Sequence, residues 1–502
     1  MDIKVEANHK TASAPRVVQN PAFDISVASG VLAKTLELLF RKCKWYNPHR
    51  KMHEIAELVQ ECYRLSSEIE VHLEGGGMRA VDYTSADDTH CRHSNRILRR
   101  IIEYFICDAD RKEALDIYDS CFHMTLQCGK KVKSSGWKNA SGTGLTTILN
   151  TVVFALRELE TTMVAMIFRA MQDEGDLIKG EYIVAEDGAD MPYPVITHNT
   201  FLYYIRHIQE YWQLEKVCDM ARCLGYRPGR MPNLIDLAYT WIGPKFGDDA
   251  LDPATPYCDN KVWKCAMLYV DKADGFIRKL ETASARNEKP VEYLSRIYPC
   301  PLRSPSSFCK VEKALDKLSI AMGRDRERYI LKLRGYDTTD HNTPVVGAFL
   351  EALSHLYKFE MTRITDKAEL DRLYEHERDL YYKVINGPFP YDGNSREEQY
   401  SAVGEIYGMS GNELDEFDAR LRKQTTWAEI QAMMLPAKII SETTQDPLGL
   451  EPMVDPPGVA RAPHWSTSKR GQDARLIDDR TDAAKAGPSC AARDEAARSA
   501  FV

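Results

Sequence analysis

Three groups of side chains in this sequence have types and spacing suited to chemistry. Asp82 and Asp87 sit in Val-Asp-Tyr-Thr-Ser-Ala-Asp, at the end of a short apolar stretch. Ser141 and Gly142 open a loose Ser-Gly-Thr-Gly segment, with Thr146 and Asn150 following at four-residue steps. Gly247, Asp248 and Asp249 come after an aromatic residue in Pro-Lys-Phe-Gly-Asp-Asp. Carboxylates gathered in this way are ligands for hard divalent cations such as Mg2+, which pair them with phosphate oxygens and water. Each group also has an ordinary reading. Asp at a strand end commonly caps a turn or a helix, and a Gly-Asp-Asp triplet alone is weak. The middle group is more specific, because Ser-Gly, Thr and Asn-Thr stand at fixed steps.

Such side chains need rigid supports. The run from Met78 to Thr84 reads as a strand that carries Asp82 near its end. Gly247 permits the sharp turn of a hairpin with Asp248 at the tip. A helix is expected from Leu145 to about Glu160, which puts Thr146 and Asn150 one turn apart. Residues before Gly30 read as strand and loop, and the pattern is helical from Gly30 to Tyr63 and again around Ile97, Ile101 and Ile102. Val291 to Pro299 reads as one strand, followed by a mainly helical stretch to about Ile440. The end, rich in Pro, Ala, Arg and Asp, reads as a disordered tail.

The 502 residues are 44% apolar and 28% charged, an ordinary globular composition long enough for a large core. Thirteen cysteines, an odd number without framework spacing, indicate a reducing compartment. The charged opening has no signal-peptide core. No uninterrupted apolar run of about 18 residues exists, so no membrane span is expected. The best candidate, from Val152, is broken by Arg157, Glu158 and Glu160. The net charge of −8 does not predict a nucleic-acid partner, yet basic residues concentrate in the first fifty positions.

The order of the three groups resembles motifs A, B and C of viral RNA-dependent RNA polymerases. The opening Lys-Val-Glu from Lys4 and Pro-Arg-Val-Val from Pro15 resemble motif F of those enzymes. Trp-Tyr-Asn-Pro-His-Arg from Trp45, the Gly-Asp-Asp context, Ile-Arg-Lys-Leu-Glu around Lys279, and Tyr336 to Pro344 are similar to nodavirus replicases in particular. A tombusvirus-like polymerase is the second choice. The likeness covers about residues 1–350.

The resemblance implies a right-hand polymerase of the α+β class, with an antiparallel-sheet palm, helical fingers and a mostly helical thumb. Fingers with motif F would occupy 1–78. The palm would run over 79–300, with a finger segment near 108–138 and an insertion near 172–230. The thumb would be 301–440 and the tail 441–502. Asp82, Asp248 and Asp249 would hold Mg2+, with Mn2+ as a substitute, for two-metal nucleotidyl transfer. Asp87 and Asn150 would read the ribose 2′-OH. Ser141, Gly142 and Thr146 would line the nucleotide site, and Lys4, Lys10 and Arg16 would neutralise the triphosphate. Lys279 would be the general acid, with Lys272 and Lys289 as rivals. Partners would be template and product RNA and ribonucleoside triphosphates, in membrane-associated replication complexes of the host cytoplasm.

Two departures qualify the likeness. Asp88 stands where the family has Gly, and motif F falls almost at Met1. The upstream fingers are then expected on a missing N-terminal part or a second subunit. The strand beginning at Ile3, with no upstream partner, is expected to fray. The alternative function is a non-catalytic RNA-binding subunit that depends on another chain.

Overall fold

The structure, a computed structural model, describes residues 2–3, 17–18, 23–71, 73, 77–83, 92–122, 125–128, 131–134, 143–173, 199, 202–203, 238–274, 277–285, 289–321, 326–385 and 395–433. Within these the chain is α+β, with antiparallel sheets and a helical C-terminal half. The first part contains β1 (Asp2–Ile3), β2 (Val17–Val18), α1 (Phe23–Phe40), α2 (Met52–Glu70) and β3 (Met78–Tyr83). Next come α3 (Arg92–Phe105), α4 (Asp108–Phe122), β4 (Thr125–Cys128), β5 (Lys131–Ser134) and the long α5 (Thr146–Asp173). Then follow β6 (Lys245–Phe246), β7 (Asp249–Asp252), α6 (Asn260–Asp274) and β8 (Arg278–Ala283).

The central sheet has the order β6-β7-β3-β8, with all pairs antiparallel. Its strands are short and their side chains alternate, so the two faces meet different neighbours. Val81, Tyr83 and Ala250 join the main core with α5 and α6. Met78 and Leu251, on the opposite face, pack instead against Ile55, Val59 and Tyr63 of α2. Covering by α2 stops at that end of the sheet, and the Asp82 end stays open to solvent.

Sequence expectations and structure differ at several points. Ile3 does not begin a lone strand, because β1 pairs with β2 in the register Asp2↔Val18 and Ile3↔Val17. Helix α1 starts at Phe23, upstream of Gly30, so Gly30 is inside a helix rather than a boundary. The close approach constrains Gly144 and not Gly30: a Cβ built on Gly144 would lie 2.9 Å from the Gly30 Cα, whereas one built on Gly30 would meet nothing within 4 Å. Helix α5 continues past Glu160 to Asp173, because its charges are paired inside the fold. The stretch from Val291 is a hairpin, β9 (Val291–Tyr293) and β10 (Arg296–Tyr298), followed by β11 (Phe308–Cys309). Both turn residues, Leu294 (φ +52°) and Ser295 (φ +60°), are left-handed, a conformation that no glycine announces in the sequence.

The C-terminal half is a helical array: α7 (Val311–Ala321), α8 (Arg326–Asp340), α9 (Val346–Tyr357), α10 (Lys367–His376), α11 (Arg378–Ile385), α12 (Arg396–Tyr407), α13 (Gly411–Leu421) and α14 (Trp427–Ala432). Ser395, Ser410 and Thr426 close capping boxes at the starts of the last three helices. The array has its own core, including Phe349, Leu353 and Val403. A fully buried ion pair, Arg296 to Asp340 at 3.0 Å, ties β10 to the end of α8. The chain enters α9 through Val345 at φ +67°, in a three-residue turn closed by Val346 N–H to the Pro344 carbonyl at 2.8 Å. Asp418 holds that strained residue by accepting its N–H on both carboxylate oxygens.

Candidate active site

The open end of the central sheet carries the acidic residues. Asp82 on β3 is directly opposite Lys279 on β8. On the other side β3 pairs with β7 through Val81↔Ala250, and the next step of that register brings Asp249 opposite Asp82. Burial alternates accordingly: Asp82, Lys279 and Asp249 are exposed, while Val81, Arg278 and Ala250 are buried. The three accessible side chains therefore share one face. Asp248 stands beside them in the two-residue turn between β6 and β7, where Phe246 pairs with Asp249. Gly247, at φ +61°, is the only left-handed residue of that turn, as a tight hairpin requires at its first central position. A Cβ added at Gly247 would meet nothing within 4 Å, so its role is conformational and not steric.

Electrostatics follow from the grouping. The Asp249 carboxyl is pushed up to about 6, first by surrounding protein mass and then by the negative charge of Asp248, with Asp82 and Glu292 adding to it. Lys313, in the first turn of α7, opposes the rise. Asp249 is exposed and also crowded, the position of a group in a recess. The donor set suits Mg2+, which uses one or two carboxylates together with phosphate oxygens and water instead of an all-protein cage. Among the described residues, Asp82, Asp248 and Asp249 included, no group of three or more His, Cys, Asp or Glu is gathered as a metal site.

Beneath the sheet, one face of α5 touches the sequence neighbours of Asp248, Asp82 and Lys279. Thr151 Oγ1 accepts the Gly247 N–H at 2.8 Å. The Phe154 ring stacks on Tyr83, with centroids 3.8 Å apart, and Tyr83 OH donates to Glu158 at 2.7 Å. Arg278 donates to Glu158 at 3.0 Å and to Thr161 at 2.9 Å. A second carboxylate, Asp271 of α6, accepts from Arg278 at 2.7 Å. Steps of three, four and three residues keep positions 151, 154, 158 and 161 on one side of a helix. Residues 247, 83 and 278 each adjoin a site residue: Asp248, Asp82 and Lys279.

Other expected residues are distributed as follows. Thr146 is half-buried at the start of α5, its hydroxyl 3.1 Å from that of Thr143, and Asn150 is buried one turn later. Lys4, Lys10, Arg16, Asp87, Ser141 and Gly142 lie outside the described residues. Of the rivals to Lys279, Lys272 is exposed in the last turn of α6. Lys289 reaches toward Glu405 at 3.9 Å. Sequence reasoning missed Thr151, Glu158, Arg278 and Lys313. Only Thr151 had a signal, as the residue completing the Asn-Thr step of the middle group.

With this geometry in place, comparison with known proteins is informative. Over 151 residues the chain is 28% identical to the RNA-directed RNA polymerase of Greasy grouper nervous necrosis virus. Part of this chain is thus similar in sequence to a viral RNA polymerase. The match covers 29% of this chain and 15% of that relative. Among solved structures, the RNA-dependent RNA polymerase of a human picobirnavirus aligns with a TM-score of 0.39 at 10% identity, over 85% of this chain and 61% of that one. Its insertion-loop deletion mutant aligns with a TM-score of 0.40, also at 10% identity, over 80% and 60%. The chain thus spans about 60% of those solved polymerases and a small share of the curated relative. No profile of a known protein family matches it.

Proposed function

We propose that this chain is the catalytic part of a nodavirus-like RNA-directed RNA polymerase, which copies a positive-strand RNA genome from ribonucleoside triphosphates. The observation that carries this reading is the shared open face of Asp82, Asp249 and Lys279, with Asp248 on the adjoining glycine turn. Sequence similarity to a viral RNA polymerase supports it. The sheet with α5 and α6 is then the palm, and the helices from Val311 onward are the thumb.

Asp82 and Asp248 would hold Mg2+ or Mn2+, with Asp249 as a further carboxylate. Bound there, the ions would supply charge stabilisation at the attacking 3′-oxygen and the departing pyrophosphate. Lys279, level with Asp82 on the next strand, would give a proton to a pyrophosphate oxygen. Asp87 and Asn150 would read the ribose 2′-OH, which is both donor and acceptor, with Thr146 one turn before Asn150. Asp87, Ser141 and Gly142 would complete the nucleotide site, and Lys4, Lys10 and Arg16 would neutralise its triphosphate. A membrane-associated complex in the host cytoplasm is the proposed setting, though no helix among the described residues is long and apolar enough to cross a membrane.

The test is templated synthesis. The chain, with the upstream fingers supplied in cis or as a second chain and given a heteropolymeric RNA template and ribonucleoside triphosphates, should make complementary RNA. Asp248→Asn keeps the shape and removes the charge, and should reduce the rate at least about a thousandfold. Equal synthesis by the variant would reject the assignment.

A further inference from the structure

The turn that presents Asp248 is anchored from below by Thr151 of α5. Thr151 Oγ1 accepts the Gly247 N–H at 2.8 Å and donates its own proton to the Thr147 carbonyl at 2.6 Å. With its proton committed inside α5, the hydroxyl has a fixed lone pair to direct at Gly247. Thr151 is fully buried, so water does not replace this acceptor. The turn itself has only two residues between its paired strands. A Gly247 N–H without an acceptor would be free to tilt, and Asp248 is the next residue along the backbone.

We propose that Thr151 is a positioning residue that fixes the Asp248 carboxylate for metal binding. The inference rests on the polymerase reading and adds to it a link between two elements: the helix start bearing Thr146 and Asn150, and the turn bearing Asp248. Thr151 follows Asn150 directly, so a displacement of the first turns of α5 moves the acceptor of the Gly247 N–H. A purely structural threonine would affect melting alone. A positioning threonine affects metal affinity and turnover through its hydroxyl.

The experiment compares full-length parent, Thr151→Val and Thr151→Ser. Mn2+ affinity is read by electron paramagnetic resonance, amide exchange over residues 244–251 by mass spectrometry, and RNA synthesis by steady-state kinetics. Thr151→Val should weaken Mn2+ binding about tenfold, the effect of one lost hydrogen bond to a buried N–H. It should also speed exchange in that segment and lower kcat with little change in KM for nucleotide. Thr151→Ser keeps the hydroxyl and should restore most of the affinity and rate. If Thr151→Val does not fold, Thr151→Ala removes the same hydroxyl without added apolar volume and should show the same shift.

Unchanged Mn2+ affinity in the hydroxyl-free variants would overturn the proposal, as would equal losses in Val and Ser forms. An Asp248→Asn control separates the two levels. If that variant is inactive while Thr151→Val binds Mn2+ like the parent, only the positioning role falls. If it synthesises RNA normally, the polymerase assignment falls first.

Discussion

At the scale of single residues, chemistry and stability pull in opposite directions on the open face. Asp249 has an ordinary value of 3.8 and sits near 6 in the fold. A carboxyl raised in the folded state binds its proton more tightly there than in the unfolded chain. Its ionisation therefore costs nothing below about pH 4, costs progressively more up to pH 6, and costs fully above it. Asp249→Asn should accordingly melt higher than the parent at pH 7.5, by about 1 kcal/mol once solvent screening is allowed for. The difference should vanish at pH 4, and calorimetry across pH checks both points. A variant no more stable than the parent at pH 7.5 would mean that Asp249 is not under this charge pressure. Gly247→Ala makes the converse case. The alanine has space but not the backbone freedom, so about 1–2 kcal/mol of stability should be lost. Denaturant titration measures it, and a neutral effect would contradict the turn geometry. Asp82, Asp248 and Asp249 were legible in the sequence because residue type, order and a turn glycine suffice to find them. Glu158 and Arg278 were not. A buried charge is spelled like a solvated one, and their partnership spans 120 positions.

At the scale of elements, pairing across distance decided what sequence patterns left open. The strand at Met78 and the hairpin at Gly247 were readable, since alternation and a glycine mark them. The hairpin at Leu294 was not, because both of its left-handed residues carry side chains. Helix α1 begins earlier than its pattern suggests, because a glycine inside a helix looks like a boundary. The joint between β10 and α8 depends on Arg296 and Asp340 in the same way. Burial alone would raise the Asp340 carboxyl, but Arg296, Lys383 and the Thr339 hydroxyl hold it below the ordinary carboxylate value. Its contribution is thus present above about pH 4 and is lost as pH falls through the depressed value. Asp340→Ala strands a buried guanidinium and should cost about 3–5 kcal/mol at neutral pH. Arg296→Met combined with Asp340→Leu should recover most of that, because the pair's removal also removes its desolvation cost. A double variant as unstable as the single one would show that the joint needs its charges.

At the scale of the whole molecule, the two largest of the three hydrophobic cores divide the work. One gathers α1, α5, α6 and the central sheet, and the other lies wholly between Ile297 and Ile430. A core closed within one continuous stretch should open as its own cooperative unit. Phe349→Ala, at a fully buried ring in the second core, should cost about 3–5 kcal/mol. Hydrogen exchange should accelerate across α7 to α13 and change little in β3, β7 and α5. Uniform acceleration throughout would show a single cooperative fold. Total charge and composition gave no hint of this division, since both cores draw on the same apolar residues.

The proposal that the open face of the central sheet holds the ions of RNA synthesis is addressed directly by one measurement. Crystals of the chain with Mn2+ and a ribonucleoside triphosphate, measured at the manganese absorption edge, locate the ions by their anomalous signal. The account predicts anomalous density between the carboxylates of Asp82 and Asp248, beside the triphosphate and on the same side of the sheet as Lys279. A triphosphate bound elsewhere, with no manganese at those two aspartates, would contradict it.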